Sequence, residues 1–275
     1  MTGVRAGNTV DEIYHTLRER IIDGVYAPGV RMSQNTLAAE LSVSRTPLRE
    51  ALQRLEGDGL LVSKANRGMQ VAPTDVGQVE QHYAIRLLLE PPTIAAIVAD
   101  LAEADHAKMA AELDAMEVYR NRIRDFQEAH MRFHEFCINH YPPALAELTH
   151  TLHLKIYRHQ RLYLSRPEVP EDFTNVDRMF LDAMRAGDAE LTRQLLEFHL
   201  IDAAIGLVSD GAPDHRYDAL LVAARGVGIT LGVEADNTAR RPASISWVRN
   251  GAHTIPSITT ANLVHSADAR PDQGD

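Results

Sequence analysis

The sequence predicts a mainly α fold, an N-terminal winged helix-turn-helix followed by a C-terminal all-α helical bundle. Two observations carry this expectation. From residue 76 to 208 apolar residues recur at spacings of three and four, as in Ile85, Leu88 and Leu89 and later in Leu191, Leu195 and Phe198, the period of helices that bury one face. Before that, residues 8–72 alternate short helical patterns with turns and close on "NRGMQVAPTD", a Gly-containing stretch that reads as a hairpin and linker. The expected domains are therefore a winged helix-turn-helix over 8–75, a helical domain over 76–208 and an extension over 209–275. Breaks at "HYPPA" (140–144), "RPEVPED" (166–172) and "RAGDAE" (185–190) divide the bundle into roughly six helices with short connections. After residue 209 small and polar residues dominate, and the extension is expected to be largely disordered, ending in "HSADARPDQGD".

Composition narrows the function. A hydrophobic content of 45% over 275 residues supports packed cores. The single cysteine, Cys137, excludes an internal disulfide and fits a reducing compartment. The N-terminal segment lacks the apolar core of a secretory signal, and no apolar run reaches the roughly 18 residues of a spanning helix, so the expected location is the cytoplasm with no membrane partner. The net charge of −10 is unevenly spread. Lys and Arg balance Asp and Glu at 9 each over residues 1–75, against 13 to 21 over 76–209 and 6 to 8 over 210–275. DNA binding by the first segment is thus electrostatically open.

The first segment contains a helix with a basic leading face. In "SRTPLREALQRLEGDGLL" (44–61), Ser44 is a suitable N-cap, Leu48, Ala51, Leu52 and Leu55 form an apolar stripe, and Gly57 or Gly59 ends the helix. The opposite face shows Arg45, Thr46, Arg49 and Gln53. Stability alone favours acidic side chains at a helix N-terminus, so arginines there point to an anionic partner. Upstream, "SQNTLAAELSVS" supplies a short helix and a tight turn, which completes a helix-turn-helix. Downstream, "LLVSKANRGMQVAP" alternates around a turn at Asn66–Gly68, a two-stranded wing with Lys64 and Arg67 placed to reach phosphate or the minor groove.

The stretch "GVYAPGVRMSQNTLAAELSVSRTPLREALQRLEGDGLLVSKANRGMQVAP" resembles, without gaps from Gly24 to Pro73, the winged helix-turn-helix of GntR-type bacterial transcription regulators. The resemblance implies that Arg45, Thr46 and Arg49 face double-stranded DNA, with Gly68 at the wing tip; Ser44 at the helix start and Lys64 and Arg67 on the wing are further candidate DNA contacts. Two positions depart from the pattern. Asn35 stands where some relatives have arginine, and Ser42 stands where glycine is usual; in a left-handed conformation serine costs about 1 kcal/mol.

In the bundle, "HMRFH" (130–134) places two histidines four residues apart on one helical face. Alone the pair is either part of a metal site or two polar side chains at a core edge. Asp177 and His199 are further candidates, on helices joined by the tight "RAGDA" turn and therefore antiparallel neighbours with both residues at similar height. Residues 76–208 resemble the FCD effector domain of the FadR branch, through "IRLLLE" (85–90), "FHEF" (133–136) and "AMRAGDAE" (183–190). The resemblance implies a divalent metal held by one Asp and three His. Here the four positions carry His130, His134, Asp177 and His199, with His and Asp exchanged between the first and third. Zn²⁺, Ni²⁺, Mn²⁺ and Fe²⁺ all suit that set, and a metal-free polar cavity is the alternative. The remaining histidines, His150, His153 and His159, are expected on a solvated or interface face.

The resemblance further implies a small organic acid as effector, assisted by Arg86; equally, Arg86 pairs with Glu90 four residues on. The expectation is a homodimeric, non-enzymatic transcription regulator on an inverted-repeat operator. The alternatives are a regulator that senses the metal itself and, further off, a metal-dependent enzyme.

Overall fold

The computed structural model describes residues 9–64, 68–163, 174–239 and 244–248. The described residues form two compact units, one of those up to Asp75 together with the segment from Leu154, the other of the rest. In the first unit α1 (Val10–Ile22) starts in a capping box, with Thr9 and Glu12 each accepting a hydrogen bond from the other's backbone N–H. Helices α2 (Gln34–Leu41) and α3 (Arg45–Gly57) are joined through Ser42, which is left-handed at φ 56°, ψ 42°. On α3 the expected stripe of Leu48, Ala51, Leu52 and Leu55 is fully buried. Ser44 occupies the N-cap, yet its side chain makes no capping hydrogen bond, contrary to expectation. The first-turn N–H groups of α3 therefore lack a local acceptor from that hydroxyl. Beyond Gly57 the chain turns out of the helix at Gly59, with φ +71°, where Leu60 N–H donates to the Leu55 carbonyl and Gly59 N–H to that of Glu56. Leu55 and Leu60 are both buried, which closes the cap with an apolar contact.

The wing is an antiparallel pair, β1 (Leu61–Lys64) and β2 (Gly68–Val71), in a register that sets Lys64 opposite Gly68. Of the expected turn at Asn66–Gly68, Gly68 opens β2, while Asn66 and Arg67 lie outside the described residues. Residues 30–32 run along the other side of β2, with Met32 N–H donating to Met69 O and Val71 N–H to Val30 O. Arg158 donates to the Ala72 carbonyl at 2.6 Å.

The second unit is built on α4 (Val76–Ile97), α5 (Glu103–Val118), α6 (Ile123–Ile138), the first part of α7 (Pro143–Tyr163), α8 (Asn175–Arg185) and α9 (Ala189–Gly211). These are the six helices expected, although the "RPEVPED" break lies outside the described residues. Two details differ. Ile85 and Leu88 are 38% and 45% exposed, whereas Val79, Tyr83, Leu87 and Ile94 are buried. The buried face of α4 also carries Arg86 and Glu90, so apolar spacing alone selects the wrong face. Helix α9 runs to Gly211, a little past the expected domain end at 208.

The turn between α8 and α9 is a two-way cap. Gly187 is left-handed, Asp188 N–H donates to Ala183 O, and the Asp188 carboxylate then accepts from Leu191 N–H as the N-cap of α9.

The expectation of a largely disordered extension is corrected for its described part. Helix α10 (Asp218–Gly226) and the antiparallel pair β3 (Ile229–Leu231) and β4 (Ile245–Trp247) follow α9. Tyr217, Leu220, Leu221, Ala224, Ile229 and Ile245 are buried. Two buried carboxylates of the bundle hold this module. Glu80 accepts from Leu220 N–H at 2.8 Å and lies 3.2 Å from His215 Nε2, while Glu197 accepts from Trp247 Nε1 at 2.7 Å. The terminal "HSADARPDQGD" lies outside the described residues. No helix among the described residues is long and apolar enough to cross a membrane.

Candidate metal centre

The helix period of α6 brings His130 and His134 to one face, with Nε2 atoms 3.2 Å apart. The tight α8–α9 turn sets two antiparallel helices side by side, so Asp177 faces His199, with Nδ1 to Oδ1 at 3.4 Å. The Asp177 carboxylate also meets α6. Its Oδ2 is 3.4 Å from His130 Nε2 and its Oδ1 is 3.5 Å from His134 Nε2. One ligand atom from each of the four residues lies within 4.8 Å of every other.

These separations fit a metal. Ligand bonds of about 2.0–2.2 Å in tetrahedral arrangement place neighbouring ligand atoms about 3.4 Å apart. Asp177 is almost fully buried, and its Oδ2 finds no hydrogen-bond partner among the described residues. A buried carboxylate oxygen left this way is costly unless a cation satisfies it. Protonation fits as well. Burial pushes His134 down and His199 well below the usual imidazole range. Burial alone would raise Asp177, but the facing histidines hold it well below the usual carboxylate range. Near neutral pH the cluster thus offers neutral imidazole from His134 and His199 beside an ionised carboxylate, the form a metal requires.

Beyond His134 the polar path continues. The His153 ring centroid is 6.4 Å from that of His134, and its Nε2 is 3.6 Å from Glu90 Oε2. Glu90 is gripped by Arg86, with Nε to Oε1 at 2.6 Å and Nη2 to Oε2 at 3.3 Å, both side chains buried. Of the two readings of Arg86, the structure displays the pairing with Glu90. Burial and the adjacent Arg86 cation lower His153 to about 3, which keeps it neutral. The expectation that His153 and His159 lie on a solvated or interface face is corrected on the first count, since within the chain His159 is buried and the His153 side chain is 11% exposed. The available signal was position, because His153 sits beside the buried Thr149, Leu152 and Ile156 on one face of α7.

In the first unit Ser44, Arg45, Thr46, Arg49, Lys64 and Gly68 are all exposed, while Arg67 is outside the described residues. An exposed basic helix start followed by a wing is the arrangement of a DNA-binding regulator. The chain belongs to the GntR family of bacterial regulators, in its FadR-like branch with an FCD domain. The model for "Bacterial regulatory proteins, gntR family" matches residues 9–71, and that for the FCD domain matches 81–202.

An uncharacterised HTH-type transcriptional regulator of Agrobacterium vitis, from the TAR-I ttuE-ttuC' intergenic region, is 30% identical over 143 residues, covering 48% of this chain and 80% of that protein. The uncharacterised regulator YdhC of Bacillus subtilis is 29% identical over 147 residues, 52% of this chain and only 62% of its own length. Among solved structures, a putative GntR regulator from Rhodococcus sp. RHA1 aligns with a TM-score of 0.61 at 24% identity, covering 75% of this chain and 99% of that one. That likeness concerns the fold.

Proposed function

We propose that this chain is a homodimeric, cytoplasmic regulator that binds an inverted-repeat operator and answers to a small organic acid at a metal-containing site. The observation that carries the metal reading is the ligand cluster itself, four donor atoms within 4.8 Å of one another around the buried Asp177 carboxylate, whose Oδ2 finds no hydrogen-bond partner among the described residues. His130, His134, Asp177 and His199 would hold a first-row divalent ion, Zn²⁺, Ni²⁺, Mn²⁺ or Fe²⁺. Such an ion supplies positive charge and open coordination positions to a carboxylate. The chain's part is to orient the ligands from α6, α8 and α9 and to shield them from bulk water. On the DNA side, Arg45, Thr46 and Arg49, with Ser44 at the helix start, would read the major groove, while Lys64, Arg67 and Gly68 follow the backbone from the wing.

A second reading, a regulator that senses the metal itself, is favoured by one feature. The Arg86 guanidinium is already engaged by Glu90, which reduces its capacity to anchor a carboxylate. The test loads the full chain with each ion, dialyses it, and measures metal content and operator binding with and without an organic acid panel. His134→Ala and His199→Ala should abolish metal retention, and an acid at 100 times its Kd should add about 2.7 kcal/mol of stability to the loaded protein. Wild-type protein that retains no ion under any loading would sink the metal site. Operator release by metal alone, with no acid effect, would select the second reading.

A further inference from the structure

The basic residues of the first unit divide sharply by partner. Arg18 pairs with Glu19, Arg20 with Glu40, Arg54 with Asp11 and Arg161 with Asp23. Arg158 is tied to a backbone carbonyl. Lys155 has no such partner among the described residues but is half-buried, and the exposed cations without one are Arg31, Arg45, Arg49 and Lys64. In a chain of net charge −10, carboxylates are plentiful, and exposed cations left without one mark a surface kept for another anion. Arg45 and Arg49 belong to the DNA-facing helix. Arg31 does not, and neither the sequence pattern nor the proposed function gives it a task.

Its position does. Arg31 bridges Gln70 on the outer side of β2, and Lys64 stands opposite Gly68 on β1. Directly opposed residues of an antiparallel ladder share a face, and so do residues two apart along a strand. Arg31, Gln70, Gly68 and Lys64 therefore occupy one face of the wing. The other face carries Leu61, Val71 and Met32, all buried, so the cationic face is the solvent side. A Cβ built on Gly68 would lie 4.0 Å from Arg31 Nε. Two unpaired cations thus flank a residue that has no side chain and whose φ of +71° suits glycine.

We infer that Arg31, Gly68 and Lys64 form a phosphate cradle on the wing, in which a DNA phosphate rests over the bare glycine backbone between the two cations. The cradle rests on the reading of the Arg45–Arg49 helix as the DNA face. It would fix the register of the wing on the duplex and leave base reading to α3. Arginine suits the place because its planar fork grips phosphate oxygens in pairs.

The experiment titrates the full chain against a short random-sequence duplex between about 50 and 200 mM salt. Removing one phosphate-neutralising cation flattens the slope of log K against log salt by about 0.9, or about 3.5-fold less affinity loss over that range. Arg31→Ala should show this flattening with an unchanged melting temperature, Lys64→Ala should show the same, and Arg31→Lys should largely restore the slope. An Arg31→Ala slope equal to wild type, while the Arg45→Ala/Arg49→Ala variant binds weakly, overturns the cradle and leaves the DNA face standing. Wild-type binding in both variants overturns both. A binding loss that Arg31→Lys shares, together with a lowered melting temperature, assigns Arg31 a structural role and overturns the cradle as well.

Discussion

Ser42 holds the left-handed conformation that the α2–α3 turn requires, and it is exposed, so its side chain gains no burial in return. Crowding of its Cβ against the backbone is the expected cost of serine at this position. Ser42→Gly should therefore raise the stability of the first unit by up to about 1 kcal/mol in urea unfolding, and an unchanged or lower midpoint would contradict it. Glu90 presents the opposite case, a buried charge that is paired. Burial works to raise its carboxyl, but Arg86 beside it outweighs this and brings it to about 2, from 4.5. Neutral His153 is not the counter-ion; the guanidinium is. A depressed carboxyl stabilises the fold above its unfolded value and loses that contribution as pH falls from 4.5 towards about 2. Glu90→Gln should cost about 3–5 kcal/mol near pH 7, because the Arg86 cation stays buried without its partner. It should also flatten the acid limb of the stability curve over that window. An acid limb as steep as wild type would show that another carboxylate carries it.

At the scale of elements, what the sequence made legible was whatever local spacing encodes. The four-residue spacing of "HMRFH" and the "RAGDAE" turn suffice to bring α6, α8 and α9 to one point, because a capped three-residue turn leaves antiparallel helices little choice. The α3 stripe was legible for the same reason. On α4 the spacing misled, since a buried ion pair sits where an apolar residue was sought. Helix α10 was missed because its N-terminus is capped by no neighbour. The acceptor for Leu220 N–H is Glu80, 140 residues away. The exchanged ligands give an element-level test. Asp177, on α8, occupies the most buried place in the cluster, whereas His130, on α6, is partly exposed. The variant His130→Asp with Asp177→His keeps three imidazoles and a carboxylate but puts the larger ring in the tighter place. It should still retain metal through dialysis, with a loss of about 1–3 kcal/mol from overpacking. Loss of metal as complete as in His134→Ala would mean that ligand order, not inventory, sets binding.

At the scale of the whole molecule, the extension changes what truncation should do. The family's domain model ends at residue 202, and an extension over 209–275 that is largely disordered could be removed without harm. The described residues argue otherwise. Glu80 and Glu197 are buried carboxylates on α4 and α9, and each receives a hydrogen bond from the module after α9. Tyr217 also reaches back, its hydroxyl donating to Ile205 O. Deleting residues 212–275 removes these donors and uncovers the surfaces they cover. Glu197 keeps Arg193 at 3.0 Å, but Glu80 loses both Leu220 N–H and His215. An unpaired buried charge and the lost apolar cover together should lower the stability of the second unit by at least about 3 kcal/mol. Glu80→Ala in the full chain separates the two causes. It takes the helix cap from α10 without deleting anything, and should cost about 1–3 kcal/mol. The measurement is urea unfolding of the three proteins side by side. A truncated chain that unfolds at the wild-type midpoint would mean that the module is an ornament on a self-sufficient bundle. A truncated chain much weaker than Glu80→Ala would show that apolar cover, more than the cap, makes α10 and its strands part of the domain.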